Sequence, residues 1–142
     1  MYNYVIPARC LMTRKEAREQ AFILLFQNTF KNEAFEELLE TEMENEAYCE
    51  DEYCTEVVKT ALLNADELNS AIEKYAKGWK IERISRVALS AMRLAICEMR
   101  YFENIPTAVS INEAVELVKK YATAEDASFV NGILGSISRE EN

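Results

Sequence analysis

Residues that break helices are scarce throughout the chain. Only three glycines and two prolines occur among its 142 residues. Because these two residue types disfavour helix interiors most strongly, their scarcity leaves long stretches free to be helical. Hydrophobic residues make up 49% of the chain, a share that suits a globular core and excludes disordered and collagen-like classes.

Apolar residues recur at helical spacing in six segments, and no segment shows the alternation typical of a strand. Gly78 follows the third segment and Pro106 follows the fourth, and both residue types commonly mark helix ends. Short connections make neighbouring helices antiparallel. The apolar patterns of the predicted helices span 13–30, 35–43, 53–75, 84–102, 111–122 and 129–137. Thr107 or Ser110 is the expected cap of the fifth helix, and Thr123 with Asp126 has capping-box spacing at the start of the sixth.

The connection at Gly78 and Trp79 divides these helices into two groups. The predicted fold class is therefore all-α, with two three-helix bundles packed together. We expect one domain over residues 13–138, with halves of about 13–78 and 79–138. Thr13 and Glu16 have the spacing of a capping box at the start of the first helix, so residues 1–12 are expected to be a flexible leader or an extended N-terminus.

Residue types that catalysis commonly needs are missing. The chain has no histidine, which is the commonest general base and a frequent metal ligand. No glycine-rich phosphate loop occurs. The four cysteines lack Cys-x-x-Cys spacing, and they are predicted to be reduced rather than to bind metal. The sequence predicts no enzymatic activity, no cofactor and no metal site. The cysteines are Cys10, Cys49, Cys54 and Cys97.

Hydropathy indicates a cytoplasmic protein. No apolar run reaches the length of about 18 residues that a membrane-spanning helix needs, so no membrane partner is expected. The first eleven residues also lack the basic start and apolar block of a signal peptide.

Charge is segregated along the chain, although the net charge is −9. Residues 33–56 hold eleven acidic and no basic side chains, whereas residues 74–100 hold seven basic and two acidic ones. Arg14, Lys15 and Arg18 open the first helix. Because the local potential steers a ligand more than the net charge does, the basic segments leave nucleic acid open as a partner.

The opening cations and two aromatic residues form a candidate RNA site. Arg14, Lys15 and Arg18 are spaced to share one side of a helix, near free backbone amides that attract anions. Phe26 and Phe129 are candidates for stacking on RNA bases. The alternative is that the rings pack in the core and the cations are simply solvated.

Residues 13–137 resemble the NusB family of transcription antitermination factors. The resemblance rests on six short segments with a common order and spacing. They are RKEAR at 14–18, WKIERI at 79–84, MRLAICEM at 92–99, IP at 105–106, VSINEAVEL at 109–117 and FVNGIL at 129–134.

The resemblance implies two perpendicular three-helix bundles and a bacterial RNA-binding factor. It implies binding of boxA, a short single-stranded element at the start of ribosomal RNA transcripts. It also implies pairing with NusE, a ribosomal protein of the small subunit, and joining RNA polymerase in an antitermination complex. The sequence leaves a homodimer open.

The resemblance implies that the candidate residues named above, Arg14, Lys15, Arg18, Phe26 and Phe129, contact RNA. It also implies an acidic position before the last helix, which is Glu125 in this chain. Lys119 and Lys120, near the end of the fifth predicted helix, complete the candidate set. Glu16 stands where a basic residue is common, and Ala88-Leu89 replaces an acidic-basic pair. A serine near Asp126 and a lysine near Ser128 are also missing. The candidate RNA-binding residues are Arg14, Lys15, Arg18, Phe26, Lys119, Lys120, Glu125 and Phe129.

Two other functions stay open on the sequence alone. The acidic run and the missing basic residues are also typical of a helical protein–protein adaptor that binds no RNA directly. A related helical domain precedes the catalytic domain of some ribosomal RNA methyltransferases. That third alternative needs a cofactor-binding βαβ segment, which these 142 residues lack.

Overall fold

The computed structural model describes residues 11–141, whose regular secondary structure is entirely helical. A single 3-10 turn, Ile81–Arg83, precedes the fifth helix. Most of the predicted leader, residues 1–10, lies outside the described residues, as does residue 142. The helices are α1 (Arg14–Lys31), α2 (Phe35–Met43), α3 (Glu52–Leu63), α4 (Ala65–Tyr75), α5 (Arg86–Tyr101), α6 (Thr107–Tyr121) and α7 (Ala124–Glu141).

The described chain has seven α-helices rather than six, because the predicted helix at 53–75 is divided at Asn64. The side-chain Nδ2 of Asn64 donates to the carbonyl oxygen of Thr60 at 2.8 Å, and its backbone amide donates to the same oxygen at 3.1 Å. Asparagine competes with the helical backbone in this way, so it favours helix ends. The apolar spacing continues on both sides of Asn64 and therefore does not reveal the break.

The predicted start of α1 is confirmed, whereas α6 begins with a different N-cap residue from those predicted. The capping box of Thr13 and Glu16 is confirmed, with Glu16 N donating to Thr13 Oγ1 at 3.1 Å and Thr13 N donating to Glu16 Oε1 at 2.9 Å. Helix α6 begins at Thr107, one of its two predicted caps, and Pro106 occupies the N-cap position. Ser110, the other predicted cap, is buried inside the helix and does not cap it.

Helix α5 is the centre of the fold. Ten of its sixteen residues are buried, which confirms the expectation that this helix is apolar nearly all round. It contacts α1, α3 and α4, which precede it in the sequence, and α6 and α7, which follow it. One cluster of buried hydrophobic residues therefore includes side chains from all seven helices.

The cysteines are not all reduced. Cys54 and Cys97 are free and buried, and burial raises the pKa of Cys54 to about 11 and that of Cys97 to about 12. Cys49 is disulfide-bonded, so the prediction is wrong at that residue; sequence spacing does not report which distant cysteines lie close together. The prediction for Cys10 falls outside the described residues.

The described part of the chain carries no candidate membrane span and no candidate metal cluster. None of these helices is long and apolar enough to cross a membrane. Residues 11–141 also contain no group of three or more acidic, cysteine or histidine side chains placed to hold a metal ion.

Candidate nucleic-acid interface

Ion pairs join α1 to α6 along one surface of the protein. Lys15 Nζ lies 3.0 Å from Glu113 Oε2, and Lys120 Nζ lies 2.6 Å from Glu19 Oε2. The Tyr121 hydroxyl donates to the same oxygen of Glu19. The pairs follow the same order along both helices. We call these five residues the α1–α6 row.

The helical repeat explains why these side chains meet. Lys15 and Glu19 are four residues apart on α1, and Glu113 and Lys120 are seven apart on α6, so each pair shares one helix face. The lysine side chains are 70% and 59% exposed, whereas those of Glu113 and Glu19 are 24% and 27% exposed. The cations therefore lie outermost, with the carboxylates partly covered beside them.

The pair between Glu19 and Lys120 holds both groups in their charged forms. Hydrogen bonds from Lys120 and Tyr121 lower the pKa of Glu19 below its usual value. The hydrogen bond to Glu19 raises the pKa of Lys120. Both directions favour an ionised pair at neutral pH.

Aromatic rings continue from this row along α1. The ring of Tyr121 lies 5.4 Å from that of Phe22, and Phe22 stacks on Phe26 at 6.3 Å. Phe30 then meets Phe26 edge to face at 5.4 Å and lies under the Arg86 guanidinium, 4.2 Å from the ring centroid. We call Tyr121, Phe26 and Phe30 the aromatic strip. Its two ends are exposed and Phe26 is half-buried, so the rings can be reached from solvent.

The remaining candidates of the second half lie on α6 and α7. Lys119 is exposed, 3.7 Å from Glu116 on its own helix. Glu125 is exposed in the first turn of α7. Phe129 is half-buried and contacts the exposed Trp79 edge to face at 6.3 Å.

Arg14 points away from the α1–α6 row. Its guanidinium lies 4.2 Å from the centroid of the Tyr53 ring on α3. It lines an open cleft of about 990 Å³ whose other charged residues are mostly acidic. Arg14 and Lys15 therefore face different surroundings, although they are adjacent in sequence. The acidic residues of the cleft are Asp51, Glu52, Glu56 and Glu103.

Arg18 is buried, which contradicts its prediction as a direct RNA contact. The residue is 4% exposed, and its Nε donates to Glu98 Oε2 at 2.8 Å. Tyr53 donates its hydroxyl to the same oxygen of the fully buried Glu98. The face of α1 that carries Ala17 and Ala21 turns inward and takes Arg18 with it.

This buried network keeps Arg18 charged. Burial alone disfavours the cation, but the charge of Glu98 and its hydrogen bond outweigh burial and raise the pKa of Arg18. Burial, and after it the charge of Glu98, raises the pKa of Tyr53. Arg18 thus ties α1 to α5 and to α3 as an ion, and its role is structural.

Sequence reasoning missed six residues of this surface, including both carboxylates of the α1–α6 row. Phe30 follows Phe26 by four residues, so helical spacing was a usable signal for Phe30. The positions of Tyr121, Arg86 and Trp79 follow from tertiary packing, which spacing does not show.

Cations and aromatic rings thus lie side by side on one surface of an all-α protein. The model of the NusB family matches residues 15–139. The chain belongs to the NusB family. The protein most useful for comparison, transcription antitermination protein NusB of Acetivibrio thermocellus, is 44% identical over 128 residues, covering 89% of this chain and 88% of that protein.

Solved structures agree with the family. A structure of the antitermination factors NusB and NusE in complex with double-stranded RNA has a chain that is 31% identical, with a TM-score of 0.78, covering 94% of this chain and 98% of that one. NusB of T. maritima is 34% identical with a TM-score of 0.77, covering 91% of this chain and 92% of that one. The predicted family and the all-α NusB-like fold are confirmed. The prediction that the chain is not an enzyme is also confirmed, because the family and its relatives are transcription antitermination proteins.

Proposed function

We propose that this protein is a transcription antitermination factor that binds boxA RNA together with NusE, within an RNA polymerase antitermination complex in the bacterial cytoplasm. The observation that carries the proposal is the α1–α6 row beside the aromatic strip. The name of the relative from Acetivibrio thermocellus and the similar NusB–NusE structure with RNA support it.

The row and the strip suit single-stranded RNA. Such RNA offers phosphates to lysines and unstacked bases to aromatic rings. In our proposal Arg14 and Glu125 lie beside the RNA-binding surface. Arg18 is no longer included among the RNA contacts, because it is buried. The residues proposed to touch RNA are Lys15, Lys119, Lys120, Phe26 and Phe129.

Charge reversal on the row tests the proposal. A labelled boxA RNA is titrated with the protein by fluorescence anisotropy, with and without NusE, across a salt series. Three to five phosphate contacts predict a log–log salt slope of about −2 to −3.5. Lys15→Glu and Lys120→Glu should each weaken binding and reduce the magnitude of the slope by about 0.7, because each loses one phosphate contact.

Lys59→Glu is the matched control, since it makes the same charge change on an exposed part of α3. It should leave the salt slope unchanged. Absence of RNA binding by the unmodified protein at low salt, with and without NusE, contradicts the proposal. NusE binding that persists without any RNA contact would favour the helical protein–protein adaptor instead, which the acidic first turn of α2 also suits.

A further inference from the structure

Each outward cation of the α1–α6 row is paired with a carboxylate of the protein itself. Lys15 has Glu113 at 3.0 Å, and Lys120 has Glu19 at 2.6 Å. The charge of Lys15 also contributes to lowering the pKa of Glu19, so Glu19 interacts with both lysines. Two positive and two negative charges thus cancel within the row.

We propose that Glu19 and Glu113 are internal competitors of the RNA phosphates and limit the affinity of the row for any RNA backbone. This inference rests on the proposed function, because it assigns a role to acidic residues of the same surface. It concerns phosphates rather than bases, because the hydrogen bonds described for these carboxylates come from the ammonium groups and the Tyr121 hydroxyl and not from an aromatic ring face.

The geometry permits competition without blocking access. An ammonium group has three donors, and the described contacts of Lys15 and Lys120 with these glutamates use one donor each. Both lysines are more than half exposed, so a phosphate can approach from outside while the carboxylate stays behind the cation. A phosphate that reaches the lysine then lies within a few ångströms of a like charge, and the repulsion weakens its binding.

Glutamine substitutions isolate this effect. Glu113→Gln and Glu19→Gln remove the negative charge and keep a side-chain oxygen that can accept from the lysine. Each should raise RNA affinity about two- to fivefold at low salt, the range expected for breaking one exposed ion pair. The gain should shrink at about 1 M salt, where the Debye length is about 3 Å.

The experiment compares boxA RNA with an unrelated single-stranded RNA of equal length, using the full chain with NusE. Both RNAs should gain affinity by a similar factor, because the effect acts on phosphates. Glu40→Gln on the exposed side of α2 makes the same change in net charge, on a helix that packs mainly against α3, and should give no comparable gain.

The outcomes separate this inference from the proposed function. If the unmodified protein binds boxA but neither Glu19→Gln nor Glu113→Gln binds it more tightly, competition by these carboxylates is disproved. The proposed function is unaffected by that result. An equal gain for Glu40→Gln, or a gain confined to boxA, also overturns the inference. If the unmodified protein binds no RNA with NusE present, the proposed function fails, and the inference falls with it.

Discussion

Arg18 is a charged side chain removed from water, and Glu98 compensates its charge at 2.8 Å. The two residues are 80 positions apart in the sequence and lie on α1 and α5. Breaking a buried ion pair by removing one partner is costly, because the other charge stays buried without compensation. The network that includes Tyr53 is therefore costly to break at one residue, although its net contribution to stability is small.

Arg18→Met should accordingly destabilise the protein by about 3–5 kcal/mol. The free energy of unfolding is measured by urea denaturation. The triple variant Arg18→Met, Tyr53→Phe, Glu98→Leu replaces the whole network by apolar side chains and should recover most of the loss. A single variant as stable as the unmodified protein would contradict this account.

The sequence predicted cations at the start of α1 but not their directions. Spacing shows that Arg14, Lys15 and Arg18 are neighbours on a helix and that Arg18 borders the apolar face of Ala17 and Ala21. It does not show that a buried carboxylate lies there to accept from the guanidinium. The position of Glu98 relative to α1 follows from tertiary packing. Only Lys15 of the three reaches the α1–α6 row.

At the scale of helices, the contact between α1 and α6 depends on ionised side chains. The pKa of Glu19 is lowered in the folded state by Lys120 and Tyr121. A carboxyl group with a lowered pKa stabilises the fold above its unfolded pKa, and this contribution is lost as the pH falls through the folded value.

The unmodified protein should therefore be more stable than Glu19→Gln at neutral pH, and the difference should vanish in acid. Urea midpoints at pH 7 and at about pH 3 measure it. Glu40→Gln serves as the control and should differ little from the unmodified protein at either pH. A difference that grows on acidification would reverse the assigned direction of the pKa change.

Helix positions were largely predictable, whereas helix pairing was not. Apolar spacing located α1, α2, α5 and α7, and the capping box located the start of α1. The break at Asn64 depends on local hydrogen bonding that periodicity does not report. The ion pair between α1 and α6 joins residues 98 positions apart, which no local pattern reveals.

At the scale of the whole molecule, one core serves both groups of helices. Helix α5 contacts α1 and α3 as well as α6 and α7, so it shares its buried surface with each group. We therefore propose that the halves 13–78 and 79–138 are parts of a single cooperative unit. The all-α class followed from the sequence pattern, but the sharing of α5 did not, because it depends on contacts between distant segments.

Thermal unfolding of the full chain should consequently be a single transition. The calorimetric and van't Hoff enthalpies should agree, and Trp79 fluorescence should change at the same midpoint as helical circular dichroism. Two separated transitions would show that the halves unfold independently.

The pairing of Arg18 with Glu98 also restricts how such a chain can evolve. Losing either charge first produces an intermediate with one uncompensated ion in the interior, and a marginally stable protein tolerates that intermediate poorly. An apolar pair at the same two positions could serve as well, yet no single substitution leads there without loss of stability. The buried ion pair can thus persist because the apolar pair cannot be reached by single stable steps. This holds whether or not the two residues contribute to RNA binding.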